Sequence, residues 1–460
     1  MSQTTSRREF FKRSAAFGTG LWVVGSRANL IAGAKDEKVR FAMIGVGGRG
    51  DSHVHDVPKS GGQIIALCDV DDHSLDNASK LQPQAKRFHD FREMLEKLRN
   101  EIDAVVVATP DHTHAVAANM AMKMGKSVYC EKPLTHSIHE ARTLAATAKE
   151  MRVASQMGNQ GHSGDNTRRI VEIVRSGAIG PIKEVHAWTN RPIWPQGLDR
   201  PEGSDPVPDW LKWDLWLGPA PERPFKVNHH VKYKDKNGVE KEKDERIYHP
   251  LAWRGWWDFG TGALGDMACH ILDCSFWALD LRHPTSIEPV EGDTRKPDCG
   301  PNWEILRYQF PARGEMPPVT VTWYDGGKKP PKELFDGEEV REGGSLLIGE
   351  KGKIYIRSDY GDNHIMLPKK EFAEFKNPPE TLKRSPGHMK DFVEACKNPT
   401  GRPACSDFSY STALTEMVLL GVVAFRSAKK IDWDGEKMRV TNAPDAAHLI
   451  HPEYRKGWSL

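Results

Sequence analysis

Between residues 38 and 160, short apolar runs alternate with helix-length stretches, and few architectures accept that order. Runs at 39–44, 63–68, 103–108, 127–130 and 153–157 read as strands, and 91–99, 115–124 and 137–151 read as helices between them. The runs are continuously apolar, as strands covered on both faces are. The pattern predicts a doubly wound parallel sheet for residues 35–160. After residue 160 the order changes. A helix is expected at 166–176 and a strand at 182–189, then a loop-rich region at 190–250 rich in Pro, Trp and charge. A helix at 265–279, strands at 303–310, 319–323, 345–348 and 353–356, and helices at 389–397 and 411–428 follow. Residues 161–460 therefore read as an α+β domain built on a mostly antiparallel open sheet. The mixed charge run at 232–246 suits a solvated loop or hairpin.

The first 34 residues read as an address. Ser6-Arg7-Arg8-Glu9-Phe10-Phe11-Lys12 has the form of a twin-arginine export signal, an apolar stretch follows, and Ala32-Gly33-Ala34 is a small-residue cleavage site. Export to the periplasm is the expectation, with no cysteine at the cleavage point to carry a lipid anchor. No apolar run approaches the roughly 18 residues of a membrane span. The full chain carries a net charge of +2. The leader holds five basic residues and one acidic, leaving 60 basic and 62 acidic residues beyond it. That balance offers no general attraction to nucleic acid. The seven cysteines lack C-x-x-C spacing, which argues against a zinc ribbon or a dense disulfide framework. Cys68 and Cys130 fall in apolar strand runs and read as small buried hydrophobes.

Directly after the first strand comes Gly45-Val46-Gly47-Gly48-Arg49-Gly50, a G-x-G-x-x-G turn. Gly45 allows the tight turn, Gly47 lets backbone approach a pyrophosphate, and Gly50 allows close helix–strand packing. The phosphates would rest on the N-terminus of the next helix. Asp69 ends the second strand at the spacing of a ribose-binding acid. Asp71 and Asp72 follow with no arginine among them, which disfavours a 2′-phosphate, so NAD is the expected cofactor. Thr109 and Pro110 end the next strand and are expected beside the cofactor. The roles of His112 and His114 stay open, because this segment also carries helix-capping residue types. Glu131-Lys132-Pro133 closes the fourth strand, and a lysine there faces the crevice where such sheets bind ligands. Asn159 and Gln160 follow the fifth strand and are candidates for cofactor or substrate contact.

With Ala108-Thr109-Pro110, Glu131-Lys132-Pro133 and the segment from Gly262 to His270, the chain resembles the Gfo/Idh/MocA oxidoreductases along nearly its whole mature length. The resemblance implies a Rossmann domain, a C-terminal domain whose open sheet makes homo-oligomer contacts, and a catalytic group of Lys132, Asp266 and His270. It also implies cofactor contacts from Gly45, Gly47, Gly48, Arg49, Gly50, Asp69, Thr109, Pro110, Glu131 and Lys132. Asp266 and His270 are four apart and would share a helix face, continued by Asp273 and Trp277. Asp266 is then expected to orient His270, a base of near-neutral pKa, while Lys132 orients the reacting hydroxyl. The same spacing also suits a structural pair or two metal ligands, although no third ligand lies nearby and no metal is expected. Nine of the 14 tryptophans fall between 188 and 277, a group compatible with a sugar-sized cleft as well as with ordinary core packing. Trp253, Arg254 and Trp257 are the substrate candidates. The expected activity is hydride transfer between a tightly held NAD and a sugar, glycoside or cyclitol hydroxyl. The alternatives are an NAD-dependent glycoside hydrolase, working by transient oxidation and elimination, and a non-catalytic nucleotide-binding protein.

Overall fold

The computed structural model describes residues 38–234 and 239–460. The leader expected over residues 1–34 lies outside the described residues. The first half alternates β1 (Arg40–Ile44), α1 (Arg49–Lys59), β2 (Gln63–Cys68), α2 (Asp72–Leu81), β3 (Lys86–Phe88), α3 (Phe91–Lys97), β4 (Ala104–Val107), α4 (Asp111–Lys123), β5 (Ser127–Cys130), α5 (Ile138–Met151) and β6 (Ser155–Met157). The strands form one parallel sheet in the order β3-β2-β1-β4-β5-β6. Successive side chains of each strand enter opposite cores. Ala42, Ile44, Val105, Val107, Val128 and Cys130 pack on one face. Phe41, Met43, Ala104, Val106 and Tyr129 pack on the other. Both faces are covered, which is why the strands read as unbroken apolar runs. Cys68 and Cys130 are buried, as the sequence suggested.

Register aligns the strand ends. Ile44 pairs with Cys68 and Val107, Val107 with Cys130, and Cys130 with Met157. The next residues continue the ladder: Gly45 N–H donates to the Cys68 carbonyl, Ala108 to Ile44, Glu131 to Val107 and Gly158 to Cys130. The glycine turn, the Thr109-Pro110 segment, Glu131-Lys132 and Gly158-Asn159-Gln160 thus leave one edge of one sheet, where open α/β sheets bind ligands.

The second half continues through α6 (Asp165–Arg175), β7 (Ile182–Trp188), α7 (Trp213–Leu217), the hairpin β8 (Asn228–Lys234) and β9 (Glu240–Arg246), α8 (Gly262–Ile271), α9 (Asp273–Ala278), β10 (Ser286–Gly292), β11 (Glu304–Phe310), β12 (Val319–Tyr324), β13 (Gly344–Gly349), β14 (Lys353–Ile356), β15 (His364–Leu367), α10 (His388–Lys397), α11 (Phe408–Ser427), β16 (Ile431–Asp434) and β17 (Arg439–Val440). Nine of these strands form a sheet ordered β15-β14-β13-β7-β12-β11-β10-β16-β17, in which β7 and β12 pair parallel and the other pairs are antiparallel. The charge run at 232–246 falls mainly in the exposed hairpin.

Several elements differ from expectation. The helix expected at 115–124 begins at Asp111, directly after Pro110. The helix expected at 265–279 is two helices, α8 and α9, meeting at Leu272. Among the described residues, helix α11 is long and apolar enough to cross a membrane by length and composition, but most of it is buried in the protein. It packs against α5, α8 and β10. Helix α10 is distant in sequence from the parallel sheet, yet its Met389, Phe392 and Val393 complete one of that sheet's two cores. The sheet's packing unit therefore extends beyond the segment 35–160.

Candidate active site

A cleft of about 930 Å³ runs along the carboxyl edge of the parallel sheet and is closed on its far side by the second half of the chain. That volume lies within the range of cofactor and ligand sites. At one end are Gly45, Gly47 and Gly48, with Asp69 beside them, and Arg49 reaches from there to Glu131. Gly45 has φ +81°, and a Cβ there would stand 2.6 Å from the Ala108 carbonyl oxygen. A Cβ on Gly50 would lie 2.1 Å from the Gly45 carbonyl oxygen. Gly50 therefore serves helix–strand packing and does not line the cleft, a correction to its place among direct cofactor contacts. Gly48 precedes α1 at φ +54° with open space where a side chain would be, and no side chain caps the helix. Uncapped N–H groups at a helix start, reached over bare glycine backbone, fit a pyrophosphate.

Asp69 borders the cleft, but its Oδ2 already accepts from the N–H groups of Val46 at 2.8 Å and Gly47 at 3.3 Å. Its Oδ1 accepts from Asp71 N–H at 3.0 Å. Burial raises its pKa despite these bonds. The carboxylate thus braces the glycine turn and keeps lone pairs for ribose hydroxyls.

At the other end stand Glu131, Lys132, Gln160, Arg254, Asp266 and His270. Lys132 Nζ donates to both the backbone oxygen and Oδ1 of Asp266, each at 2.8 Å. Burial alone would lower the Lys132 pKa, but the Asp266 charge and hydrogen bond, joined by the Glu131 charge, together raise it. Burial works against the Asp266 carboxylate too, yet Lys132 and Arg254 hold it at about 2. Arg254 Nε donates to the same Oδ1 at 3.2 Å, and its guanidinium lies 4.4 Å from the Trp253 ring centre. The expectation that Asp266 orients His270 is therefore corrected: the carboxylate is committed to Lys132 and Arg254. His270 is buried with Nδ1 unpaired, and its ring meets Tyr360 edge-on at 4.8 Å. Burial, reinforced by the Lys132 charge, lowers its pKa to about 3 rather than leaving it near neutrality.

Glu131 is buried and lies behind Lys132. His53 Nε2 is 2.7 Å from Oε1, and Arg49 Nε and Gln160 Nε2 donate to the same oxygen. Burial alone would raise the carboxyl, but His53, Arg49 and Lys132 hold it below the usual carboxylate range. A Cβ on Gly158 would stand 2.5 Å from the Glu131 carboxyl, so any side chain there would displace that carboxyl.

Thr109 and Pro110 line the cleft, as do Trp253 and Arg254. Asn159 does not: it is fully buried with both amide atoms unpaired. Trp257 is likewise corrected. It lies in the main hydrophobic core, with the Arg426 guanidinium 5.4 Å from its ring centre. Asp273 and Trp277 leave the Asp266/His270 stripe because the helix breaks. Asp273 accepts from Tyr410 and lies 3.0 Å from His162 Nδ1, and His162 stacks on Trp277. His114 borders the cleft, its ring nitrogens 2.9 Å from the carbonyl oxygens of Pro133 and Thr109. His112 is buried between the carbonyls of Phe259 and Trp216.

Sequence reasoning did not single out His53, Tyr360 or Trp458, and it took Trp194 and Trp216 only as members of the tryptophan group; all five line or support the cleft. Only His53 carried a local signal, since it follows Arg49 by four residues on α1 and shares its face.

Residues 39–159 match a family profile described as an oxidoreductase family with an NAD-binding Rossmann fold, and residues 164–460 match that family's C-terminal alpha/beta domain. The chain belongs to the Gfo/Idh/MocA oxidoreductase family. Its N-terminal sheet is the family's NAD-binding domain, and the glycine cradle fits that cofactor. A glycosyl hydrolase family 109 protein of Solibacter usitatus is 34% identical over 194 residues, 39% of this chain and 44% of the relative. A second, from Shewanella sp. strain MR-4, is 29% identical over 203 residues, 38% of this chain and 44% of the relative. The matches thus span less than half of these relatives' length.

Similar solved structures include the WlbA dehydrogenase of Bordetella pertussis in complex with NADH and UDP-GlcNAcA. It is 16% identical with a TM-score of 0.59, covering 86% of this chain and 99% of that one. A levoglucosan dehydrogenase in complex with NADH and L-sorbose is also 16% identical, with a TM-score of 0.54 and the same coverage. At these identities the likeness is one of fold.

Proposed function

We propose that the protein is an NAD(H)-dependent oxidoreductase that transfers hydride between a tightly held nicotinamide cofactor and a hydroxyl of a sugar, glycoside or cyclitol. One observation carries this reading: the Lys132–Asp266 pair and His270 share a single cleft with an uncapped glycine turn. Gly45, Gly47, Gly48, Arg49 and Asp69 would hold the dinucleotide, with Thr109, Pro110, Glu131 and Gln160 along its path. NAD, when bound, supplies the hydride acceptor. Lys132, fixed by two bonds to Asp266, uses its remaining N–H to orient the substrate hydroxyl and stabilise developing alkoxide charge. His270 is neutral at working pH and takes the hydroxyl proton. Asp266 and Arg254 position the lysine, and the Trp253 face suits the C–H surface of a sugar ring.

A second reading is favoured by the names of the curated relatives: a glycoside hydrolase in which transient oxidation leads to elimination of the aglycone, water addition and reduction. One experiment separates the two. The purified protein is mixed with a panel of sugars and aryl glycosides while reduced-nicotinamide absorbance and aglycone release are both recorded. Persistent absorbance supports the dehydrogenase, and aglycone release without net reduction supports the hydrolase. Neither signal from any compound overturns both. The motif at 6–12 supports export by the twin-arginine route to the periplasm, where retained cofactor would matter because free NAD is scarce. Accumulation of a full-length fusion in the cytoplasm alone would refute that placement. The family resemblance supports a homo-oligomer, and a monomeric mass by light scattering would refute it.

A further inference from the structure

Beyond Asp69, away from the catalytic end, the cleft acquires walls from two parts of the second half of the chain. Trp216 and His249 come from the Trp-rich region between β7 and α8, and Trp458 comes from the segment 454–460. The Trp-rich region is tied to the loop that follows β2: Asp72 N–H donates to the Trp210 carbonyl at 3.0 Å, and Lys212 N–H to the Val70 carbonyl at 2.9 Å. His249 Nε2 lies 2.8 Å from Asp71 Oδ2.

The segment 454–460 is laced down independently. Arg455 N–H donates to the Pro219 carbonyl at 2.9 Å, and its guanidinium to Asp214 Oδ1 at 2.6 Å. Tyr454 hydroxyl donates to the buried Glu140 of α5 at 2.5 Å. These anchors present Trp458 to the parallel-sheet domain. The Arg92 guanidinium lies 4.4 Å from its ring centre, the Phe91 ring 6.0 Å away, and the ring still borders the cleft. Arg92 is itself fixed by bonds from Nε and Nη2 to Asp90, so the cation under the indole is held in place.

A dinucleotide whose pyrophosphate sits on the glycine turn and whose ribose meets Asp69 sends its base into this end of the cleft. An indole stacks on any purine face without needing hydrogen bonds. We infer that the segment 454–460 is a clasp for the adenosine half of the cofactor, with Trp458 stacking on the adenine and Arg455 holding the clasp shut. The clasp slows release of NAD between turnovers. The inference rests on reading the cleft as a dinucleotide site and adds a retention device built from outside the parallel-sheet domain.

The test uses the full chain and two halves of the cofactor, ADP-ribose and nicotinamide mononucleotide, in titration calorimetry, together with the exchange rate of labelled NAD. In W458A, ADP-ribose binding weakens about tenfold and NAD exchange speeds up by a similar factor, while mononucleotide binding is unchanged. W458F recovers most of the loss. R455A, which touches no cofactor surface, speeds exchange as well. Unchanged ADP-ribose affinity in W458A overturns the clasp. Equal weakening of both halves also overturns it, because that is the mark of general structural damage. These measurements need no substrate. Sugar oxidation with an unaffected W458A sinks the clasp alone, and a W458A effect without turnover on any sugar sinks the functional reading alone. Failure of the parent protein to bind ADP-ribose or NAD sinks both.

Discussion

At the scale of single residues, the site is decided by which charges share which carboxylate. Asp266 receives Lys132 twice and Arg254 once, so Lys132 stays cationic and fixed while His270 loses its expected partner. Lys132→Ala removes the hydroxyl-orienting donor but leaves the glycine cradle intact. The expected loss in kcat is about 10²–10³-fold with NAD still bound, checked by steady-state kinetics and by nucleotide content after denaturation. A parent-like kcat would remove Lys132 from the chemistry. The pH profile follows from His270. A base works in its deprotonated form, and burial places that form above about pH 3 instead of above 6.5. Activity therefore should not fall as pH drops through 6.5, and the His270 limb should lie in the acid range near the folded pKa. A kcat/KM profile from pH 4 to 9 with an acid limb centred near 6.5 would show that His270 is not the base.

At the scale of elements, the site is a row of strand ends. Ile44, Cys68, Val107, Cys130 and Met157 lie in register, so each following turn contributes to one edge. The glycine turn, Asp69, Thr109-Pro110 and Glu131-Lys132 were legible in the sequence because each directly follows an apolar strand run. Helix α8 was legible as a helix but not in extent, since nothing in its composition marks the break at Leu272. The full burial of Asn159 was not legible, because a polar residue after a strand gives no sign of how deeply its side chain lies. Its neighbour Gly158 is the more telling position. A methyl there would meet the Glu131 carboxyl at 2.5 Å and push it away from Arg49, His53 and Gln160. Gly158→Ala should fold and yet lower kcat/KM by about 100-fold, the scale of an ångström-sized misplacement. Unchanged kinetics would mean that Glu131 has room to move without disturbing Lys132.

At the scale of the whole molecule, the two halves are not independent. Helix α10 fills one core of the parallel sheet, with Phe392 meeting Phe41 at 6.1 Å and Tyr129 at 5.8 Å between ring centres. Tyr129 in turn accepts from Gln160 at the edge of the cleft. Phe392→Ala should cost about 3–5 kcal/mol, measured by denaturant unfolding. It should also weaken NAD binding although the residue lies outside the cleft. A loss under 1 kcal/mol would show that α10 is only laid on the sheet and does not complete it.

The sequence by itself determined the parallel sheet, the glycine turn, the acid after the second strand, and the lysine and helix that meet at the reacting end. Each of these is written in a local pattern: apolar periodicity, backbone freedom, or residue type at a strand end. The tertiary structure decided what depends on partners far apart in the chain. It gave Asp266 to Lys132 and Arg254 over its helix neighbour His270, packed Trp257 into the main core while leaving Trp253 to line the cleft, and brought α10 and Trp458 back to the cofactor domain. Those choices follow from burial and charge competition, which act through space and leave no periodic trace in the chain.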